Sequence, residues 1–436
     1  MGLRKQNICL GALLVAGFVL IALGIVLLTA MPTIVSLLVK KKSPLTPDTA
    51  TGQSWRNPKF DIRMQFWMFN ITNPHRILKG DDPEVNEIGP FTFKEVLERE
   101  NVMWTDHDTV FYENNKTFFF VPEESVASLD LKVVVPNVPY WTTVNFLREL
   151  AILSKRPLMG FIISTIMRII LKEHPLLTDG VTVRELLFEG YSDKIFNTMN
   201  GLAKFGLDFH APKRMGFFYQ MNGTGNGRFE VDTGASDLSK RGTIKSWNGE
   251  NLWTTDLSNE IKGTDGTLYH PFVQKTDTLY SYVPNICRSV FWEYSNVDTT
   301  FEGVPVWRYH ISPEVFSGTR EENLGFCYNN SDNFFGKACQ VPDGPRCMPG
   351  GYLYLGSAPK TQCVPEKKWD VAPIVMSTVH QICSPKCTRD AIKGIDIGDV
   401  REYQTDMLLE PTTGTGLRFN RRLQINVGIF TDDKFP

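Results

Sequence analysis

The chain has 436 residues, 42% hydrophobic and 22% charged, with a formal net charge of −2. That balance excludes a disordered chain and gives no sign of a nucleic-acid binder. About 400 residues beyond the N-terminal segment suffice for one large or two ordinary domains, and 29 phenylalanines make a large apolar interior feasible.

Ile8–Ala30 is an unbroken uncharged run. As a helix it rises about 34 Å, enough to cross a hydrocarbon core of about 30 Å. A transmembrane signal-anchor is expected there, with residues 1–7 as a cytoplasmic tail and 31–436 as an extracellular or luminal ectodomain. A cleaved signal peptide is the alternative, but its apolar core spans only about 7–15 residues, and here apolar residues continue through Met31–Val39 before Lys40, Lys41 and Lys42. Only Arg4 and Lys5 precede the run against three lysines after it, so flanking charge alone slightly favours the opposite orientation. Long domains translocate largely regardless of such charges.

Residues 40–58 carry Pro44, Pro47, Gly52 and Pro58 and read as a juxtamembrane linker. In Lys59–Asn70 the apolar Phe60, Ile62, Met64, Phe66 and Met68 alternate with polar residues, which predicts a half-buried strand. Phe111–Tyr112 and Thr117–Val121 flank Glu113-Asn114-Asn115-Lys116 as a hairpin would. Gly223-Thr-Gly225-Asn-Gly227 reads as a turn. Further β-like runs lie at Gly216–Met221, Arg228–Val231, Val304–Ile311 and Leu417–Phe430.

Trp141–Lys172 differs from these and predicts two helices broken near Pro157. Pro157–Met167 is uncharged but too short to span a bilayer, so it packs on another helix or dips into an interface. Arg148, Lys155, Arg156, Arg168 and Lys172 against Glu149 make the stretch strongly cationic. Two readings coexist. One is a partly buried helical hairpin with solvated ends. The other is an apolar, cation-rimmed ligand surface suited to amphipathic anions.

Cys9 lies in the apolar run. Cys287, Cys327, Cys339, Cys347, Cys363, Cys383 and Cys387 all fall after residue 286 and suggest a local disulfide framework with an odd member. The spacing of His380, Cys383 and Cys387 fits zinc loosely, but translocated cysteines oxidise, and no metal is expected. Asn70, Asn115, Asn222 and Asn329 head N-glycosylation sequons. No nucleophile elbow, zinc-protease helix or phosphate loop occurs, so neither enzymatic chemistry nor a cofactor is expected.

FNITNP (Phe69–Pro74), EIGPFTFKE (Glu87–Glu95), TVRELLFEGYSD (Thr182–Asp193), Gly242–Phe272, NICRSVFWEY (Asn285–Tyr294) and Leu409–Val427 together resemble the class B scavenger receptor family. That family includes fatty acid translocase, lysosomal integral membrane proteins and insect sensory neuron membrane proteins. The resemblance implies a membrane-anchored α+β fold: a large antiparallel β-barrel-like ectodomain, a helical bundle at its apex, and an internal apolar tunnel. Trp141–Lys172 would be that apex, with Lys172 where fatty acid translocase has a ligand-contacting lysine. It also implies disulfides Cys287–Cys363 and Cys327–Cys347; Cys383 and Cys387 are spaced to bridge locally, and Cys339 is left without a partner. The family's second membrane helix does not appear before Pro436, as expected for a truncated, spliced or single-pass form. The implied function is binding of lipids, lipoproteins or other anionic amphipathic ligands at the plasma membrane and passage of apolar ligand toward the bilayer. The alternative is a lysosomal cargo receptor that binds a protein through the same helices, with His174 titrating near pH 6.

Overall fold

The computed structural model describes residues 2–153, 157–202, 212–251, 260–317, 320–326, 350–354, 372–395, 398 and 400–429. The apolar run folds into helix α1, Gly2–Lys42. It does not end at Ala30 but continues through Pro32 to the three lysines, which meet the negative end of the helix dipole. Leu13–Lys42 is long and apolar enough to cross a bilayer. Phe18, at 79% exposure, has no protein to pack against.

The segment after α1 is not a loose linker. Leu45 is fully buried and Trp55 nearly so. Helix α2 (Ala50–Arg56) holds Trp55 in place, with the Thr49 hydroxyl capping it by accepting from Gly52 N at 3.0 Å. Strand β1 (Asp61–Ile71) alternates in burial from Asp61 to Phe66 as the sequence predicts, and the alternation breaks at a bulge where Phe66, Trp67 and Met68 are all buried.

The hairpin expected at residues 111–121 does not form. Strand β3 runs unbroken from Thr109 to Phe120, and it turns back instead from β2 (Val85–Trp104). Asn114 is buried on the inward face, so Glu113–Lys116 continues the alternation rather than breaking it. Gly216–Met221 is a set of turns, not a strand. Gly225 and Gly227 lie inside a strand, not a turn.

Helices α3 (Pro74–Ile77), α4 (Val138–Leu153), α5 (Pro157–Glu173) and α6 (Lys194–Leu202) are inserted between strands. The remaining strands are β4 (Lys132–Val133), β5 (Val181–Thr182), β6 (Thr224–Asp232), β7 (Ile244–Trp247), β8 (Leu279–Val283), β9 (Arg288–Phe301), β10 (Val304–Ile311), β11 (Tyr352–Tyr354), β12 (Ile374–Ser377), β13 (Asp406–Glu410) and β14 (Thr415–Val427).

The main sheet runs β7-β6-β3-β2-β1-β14-β13-β10-β9-β8, with β12 also on β14 and β11 on β12. This corrects the expected antiparallel barrel in two respects. Among the described residues the strand path is open, and its central pair, β1 with β14, is parallel, with Ile62 opposite Phe419 and Met64 opposite Arg421. The two edge strands nevertheless share one neighbour. Ile244 N of β7 donates to Gly263 O at 2.8 Å. Thr264 N donates to Tyr280 O at 3.0 Å, and Tyr282 N to Thr264 O at 2.8 Å, on β8. Gly263 holds φ +84°, and a Cβ there would stand 2.0 Å from Tyr280 O. Gly263→Ala is therefore expected to destabilise the ectodomain by at least about 2 kcal/mol in thermal melting, from backbone strain and steric clash together.

Among the described residues four apolar clusters pack the fold, the smallest being Val290, Phe291 and Val315. The first joins the inward residues Met64, Phe66, Phe91 and Phe93 of β1 and β2 to Leu147 of α4, Ile163 and Met167 of α5, and Ile195 and Met199 of α6. The second gathers Leu45, Trp55, Tyr112, Phe229, Trp247 and Tyr282 near the exit of α1. The third holds Ile62, Trp292, Tyr309, Met407 and Phe419.

Cys287 and Cys387 are both disulfide-bonded, whereas Cys383 is a free thiol. The local Cys383–Cys387 bridge is thus corrected: Cys387 is already engaged elsewhere. The expected partner Cys363, the Cys327–Cys347 pair, and Cys339 lie outside the described residues.

Candidate ligand site

The cationic stretch folds into two helices, α4 described to Leu153 and α5 described from Pro157. Its charges separate. Arg148 is buried at 2% exposure on the core side of α4, so it is not part of a solvent-facing rim. Arg168 and Lys172 are exposed on α5. Lys155 and Arg156 lie outside the described residues.

Helical spacing explains the division of α5. Ile163 and Met167, four apart, are buried in the first cluster. Phe161, Thr165, Arg168, Ile169 and Lys172 share the opposite face and are exposed. That face carries three large apolar side chains in water, with Phe161 70%, Ile162 40% and Ile169 64% exposed. A helix packed only for stability would put polar residues there.

The base of the helices is fixed by polar contacts. Asn137 Nδ2 donates to Pro175 O at 2.9 Å and to Asp193 at 2.8 Å, and Trp141 Nε1 donates to Leu176 O at 3.1 Å. His174 lies 3.9 Å from Asp193 and 3.3 Å from the Thr198 hydroxyl, so it is held in this base rather than displayed on the surface.

Beneath the helices the sheet presents aromatic rings. Phe93 and Phe188 stand 4.8 Å apart, and Phe66 and Phe218 5.2 Å. Two residues beyond Phe93 on β2 the inward face becomes charged. Glu95 of β2, fully buried, receives Arg421 Nη1 of β14 at 2.6 Å and has Lys116 Nζ of β3 at 3.5 Å. Burial pushes the Glu95 carboxyl up, but Arg421 and Lys116 outweigh it and hold it below the ordinary carboxylate range. Burial lowers Lys116 more than Glu95 restores it.

Deeper still, Arg99 and Asp265 pair at 2.8 Å, both fully enclosed. Arg99 also donates to Thr267 Oγ1 at 2.7 Å and to Trp55 O. Asp265 accepts from Tyr112 Oη at 2.9 Å and Thr267 N at 3.0 Å. Burial opposes its charge, yet Arg99 and Thr267 keep it ionised well below the usual range. These charges form a buried belt on the same inward face of the sheet as the aromatic rings of the first cluster.

Sequence reasoning missed this belt. The alternation Phe91, Phe93, Glu95, Leu97, Arg99 contains the signal, because one face of β2 holds both the aromatics and the charges.

The sequence model of the CD36 family matches residues 15–436. The chain belongs to the CD36 family. Among its relatives, lysosome membrane protein 2 of mouse is 31% identical over 91% of this chain and 75% of that protein. The human protein of the same name is 30% identical over the same shares. Scavenger receptor class B member 1 of pig is 26% identical over 95% of this chain and 74% of that protein. This CD36-family chain is a membrane protein, with α1 as its apolar anchor.

The family motifs now have physical reasons. In Glu87-Ile-Gly89-Pro, Gly89 packs against the Trp67 ring, where a Cβ would approach to 2.6 Å. In Gly263-Thr-Asp-Gly266, Asp265 is the buried partner of Arg99. In FNITNP, Asn70 Oδ1 accepts from Val134 N at 2.8 Å and Asn73 Oδ1 from Glu84 N at 2.9 Å. Of the sequons, Asn222 is exposed, while Asn70 and Asn115 are half-buried and Asn115 Nδ2 donates to Glu100 at 2.9 Å. Asn329 lies outside the described residues.

Proposed function

We propose that this protein is a scavenger-receptor-type membrane protein that captures lipids, lipoproteins or other anionic amphipathic ligands on α5 and passes their apolar parts inward toward the bilayer. The observation that carries the reading is the outward face of α5. Phe161, Ile162 and Ile169 offer apolar contact, and Arg168 and Lys172 offer two cations for an acidic head group. Burial of acyl chain contributes about 0.8 kcal/mol per methylene and needs no catalytic group, so no enzymatic step is invoked. Passage inward is supported by the first apolar cluster, which continues from α5 to the aromatic rings of β1 and β2. Glycan attachment is proposed at Asn222, whose exposed side chain leaves room for it.

Reversing both charges, Arg168→Glu with Lys172→Glu, should weaken binding of the full-length protein to phosphatidylserine vesicles by about 30-fold or more, since each basic residue contributes about 1 kcal/mol near an anionic surface. Phe161→Ser should weaken binding to neutral and anionic vesicles alike. Unchanged vesicle binding by both variants at normal surface expression would refute α5 as the capture site.

A second reading is favoured by the higher identity to lysosome membrane protein 2 than to scavenger receptor class B member 1. In it, the same face of α5 docks a protein cargo in the lysosomal membrane. Microscopy of the full-length protein separates them: residence at the plasma membrane supports lipid capture, and residence in lysosomes supports cargo binding.

A further inference from the structure

We infer that the outer face of the sheet at the exit of α1 lies in the head-group layer of the bilayer, where Met103, Phe111 and Arg228 engage a zwitterionic phospholipid. The ectodomain is then seated on the membrane by a second contact besides α1.

The level of this face is fixed by the end of the anchor. Leu37 and Leu38 are 63% and 50% exposed, so hydrocarbon must cover α1 up to the three lysines. From Lys42 to Leu45 is three residues, about 10 Å at full stretch. Within that reach the chain is already bonded into the ectodomain. Ser43 O accepts from Arg241 Nη1 at 3.1 Å, Leu45 N donates to Thr233 O at 2.8 Å, and Leu45 O accepts from Trp104 Nε1 at 2.7 Å. Thr233 N in turn donates to Asp108 O at 2.8 Å. So short a connection holds the lower ends of β2, β3 and β6 at the membrane surface.

Strand alternation puts an apolar pair on the outside at this level. Val102 and Trp104 pack against the second cluster, so Met103 between them points away from it. Val110 and Tyr112 are buried in the same cluster, so Phe111 between them also points outward. Met103 and Phe111 are directly opposite each other on β2 and β3, and Met103 is 49% exposed. The exposed Arg228 of β6 stacks its guanidinium 4.6 Å from the Phe111 ring. A methionine and an aromatic ring beside a cation, all turned outward, match the boundary between acyl chains and phosphates.

The surrounding charges select the head group. Lys40, Lys41 and Lys42 close α1, while Asp106 and Asp237 are exposed on the β2–β3 and β6–β7 loops. Those two loops are joined by the Ser236–Asp108 hydrogen bond. Both signs of charge at one level suit a phosphocholine, whose phosphate meets Arg228 and the lysines and whose ammonium meets the aspartates. An acidic head group would meet the aspartates unfavourably.

The test uses the full chain in phosphatidylcholine nanodiscs, with the photo-cross-linker benzoylphenylalanine in place of Met103, Phe111 or Phe119. Phe119 is the control, because it is 53% exposed on the same outer face of β3. It lies eight residues beyond Phe111, about 27 Å along the strand, whereas the head-group layer is only about 5–8 Å deep. Lipid should be captured at least about 5-fold more from the first two positions than from the third, since only they reach the layer. Arg228→Glu should lower capture from the Met103 position about 3-fold, because the phosphate loses its cation. Equal capture from the Met103 and Phe119 positions would overturn the membrane seat. Cross-links from Met103 to a second copy of the chain instead of lipid would do the same. Higher capture on exchanging phosphatidylcholine for phosphatidylserine would overturn the zwitterionic head group.

Discussion

Replacing Arg99 with methionine should cost the ectodomain on the order of 4 kcal/mol, because breaking one side of a buried pair leaves an uncompensated charge. The guanidinium reaches Asp265, Thr267 and the Trp55 carbonyl, and it stacks 4.3 Å from the Trp55 ring and 5.3 Å from the Tyr112 ring. Methionine keeps much of the volume and none of the donors, so Asp265 is stranded. Thermal melting should show the loss directly.

The same pair sets an acid limit. The folded Asp265 carboxyl is held well below its unfolded value, and Glu95 below its own. A depressed carboxylate stabilises the fold fully above its unfolded pKa, near 4, and that contribution is lost as pH falls through the folded value. These two groups should therefore cost no stability between about pH 7 and about pH 5 and should begin to do so below about pH 4. Asp265→Asn should flatten the acid limb of melting temperature against pH. A steep fall from Asp265 already at about pH 6 would contradict the depressed carboxyl.

Replacing Arg241 with methionine should have an effect of similar size, on the order of 3 kcal/mol, since each buried acceptor left unpaired costs about 1–3 kcal/mol. Arg241 is 1% exposed and donates to the carbonyls of Ser43, Tyr269 and Thr413. Burial lowers its pKa to about 9. It ties the residue just after α1 to two distant loops, so the variant should also increase protease cleavage between residues 42 and 60. A variant with wild-type melting and wild-type cleavage would show that water replaces the guanidinium without loss.

The anchor, the first strand and helices α4 and α5 were legible in the sequence, because each is a local pattern of one period. Ile62, Met64 and Phe66 alternate, and Ile163 and Met167 repeat with the helix. The ectodomain's family was legible from motifs whose spacing the fold now explains. Local patterns failed wherever the deciding contacts are not local. Arg148 looked like a solvated cation from its neighbours, yet α4 turns it into the core. Glu113–Lys116 looked like a turn because polar residues usually are, yet the inward face of this sheet accommodates Asn114 and Lys116. Leu45 and Trp55 looked like part of a tether because prolines surround them, yet they share a core with Tyr112 and with Phe229, Trp247 and Tyr282, the last three more than a hundred positions away. The interior belt was unreadable for the same reason: Glu95 and Arg421 are 326 residues apart.

The parallel seam of β1 with β14 has a consequence for biogenesis. Asp61 receives its partner Arg418 from 357 residues downstream. At roughly 5–20 residues synthesised per second, β1 waits about 20–70 s for the strand that completes it. Throughout that delay its open flank offers unpaired backbone and a row of Ile62, Met64 and Phe66 to any passing strand. Assembly of so distant a pairing is intrinsically slow. Chaperones that shield this one flank should thus govern how much of the nascent protein matures and how much aggregates.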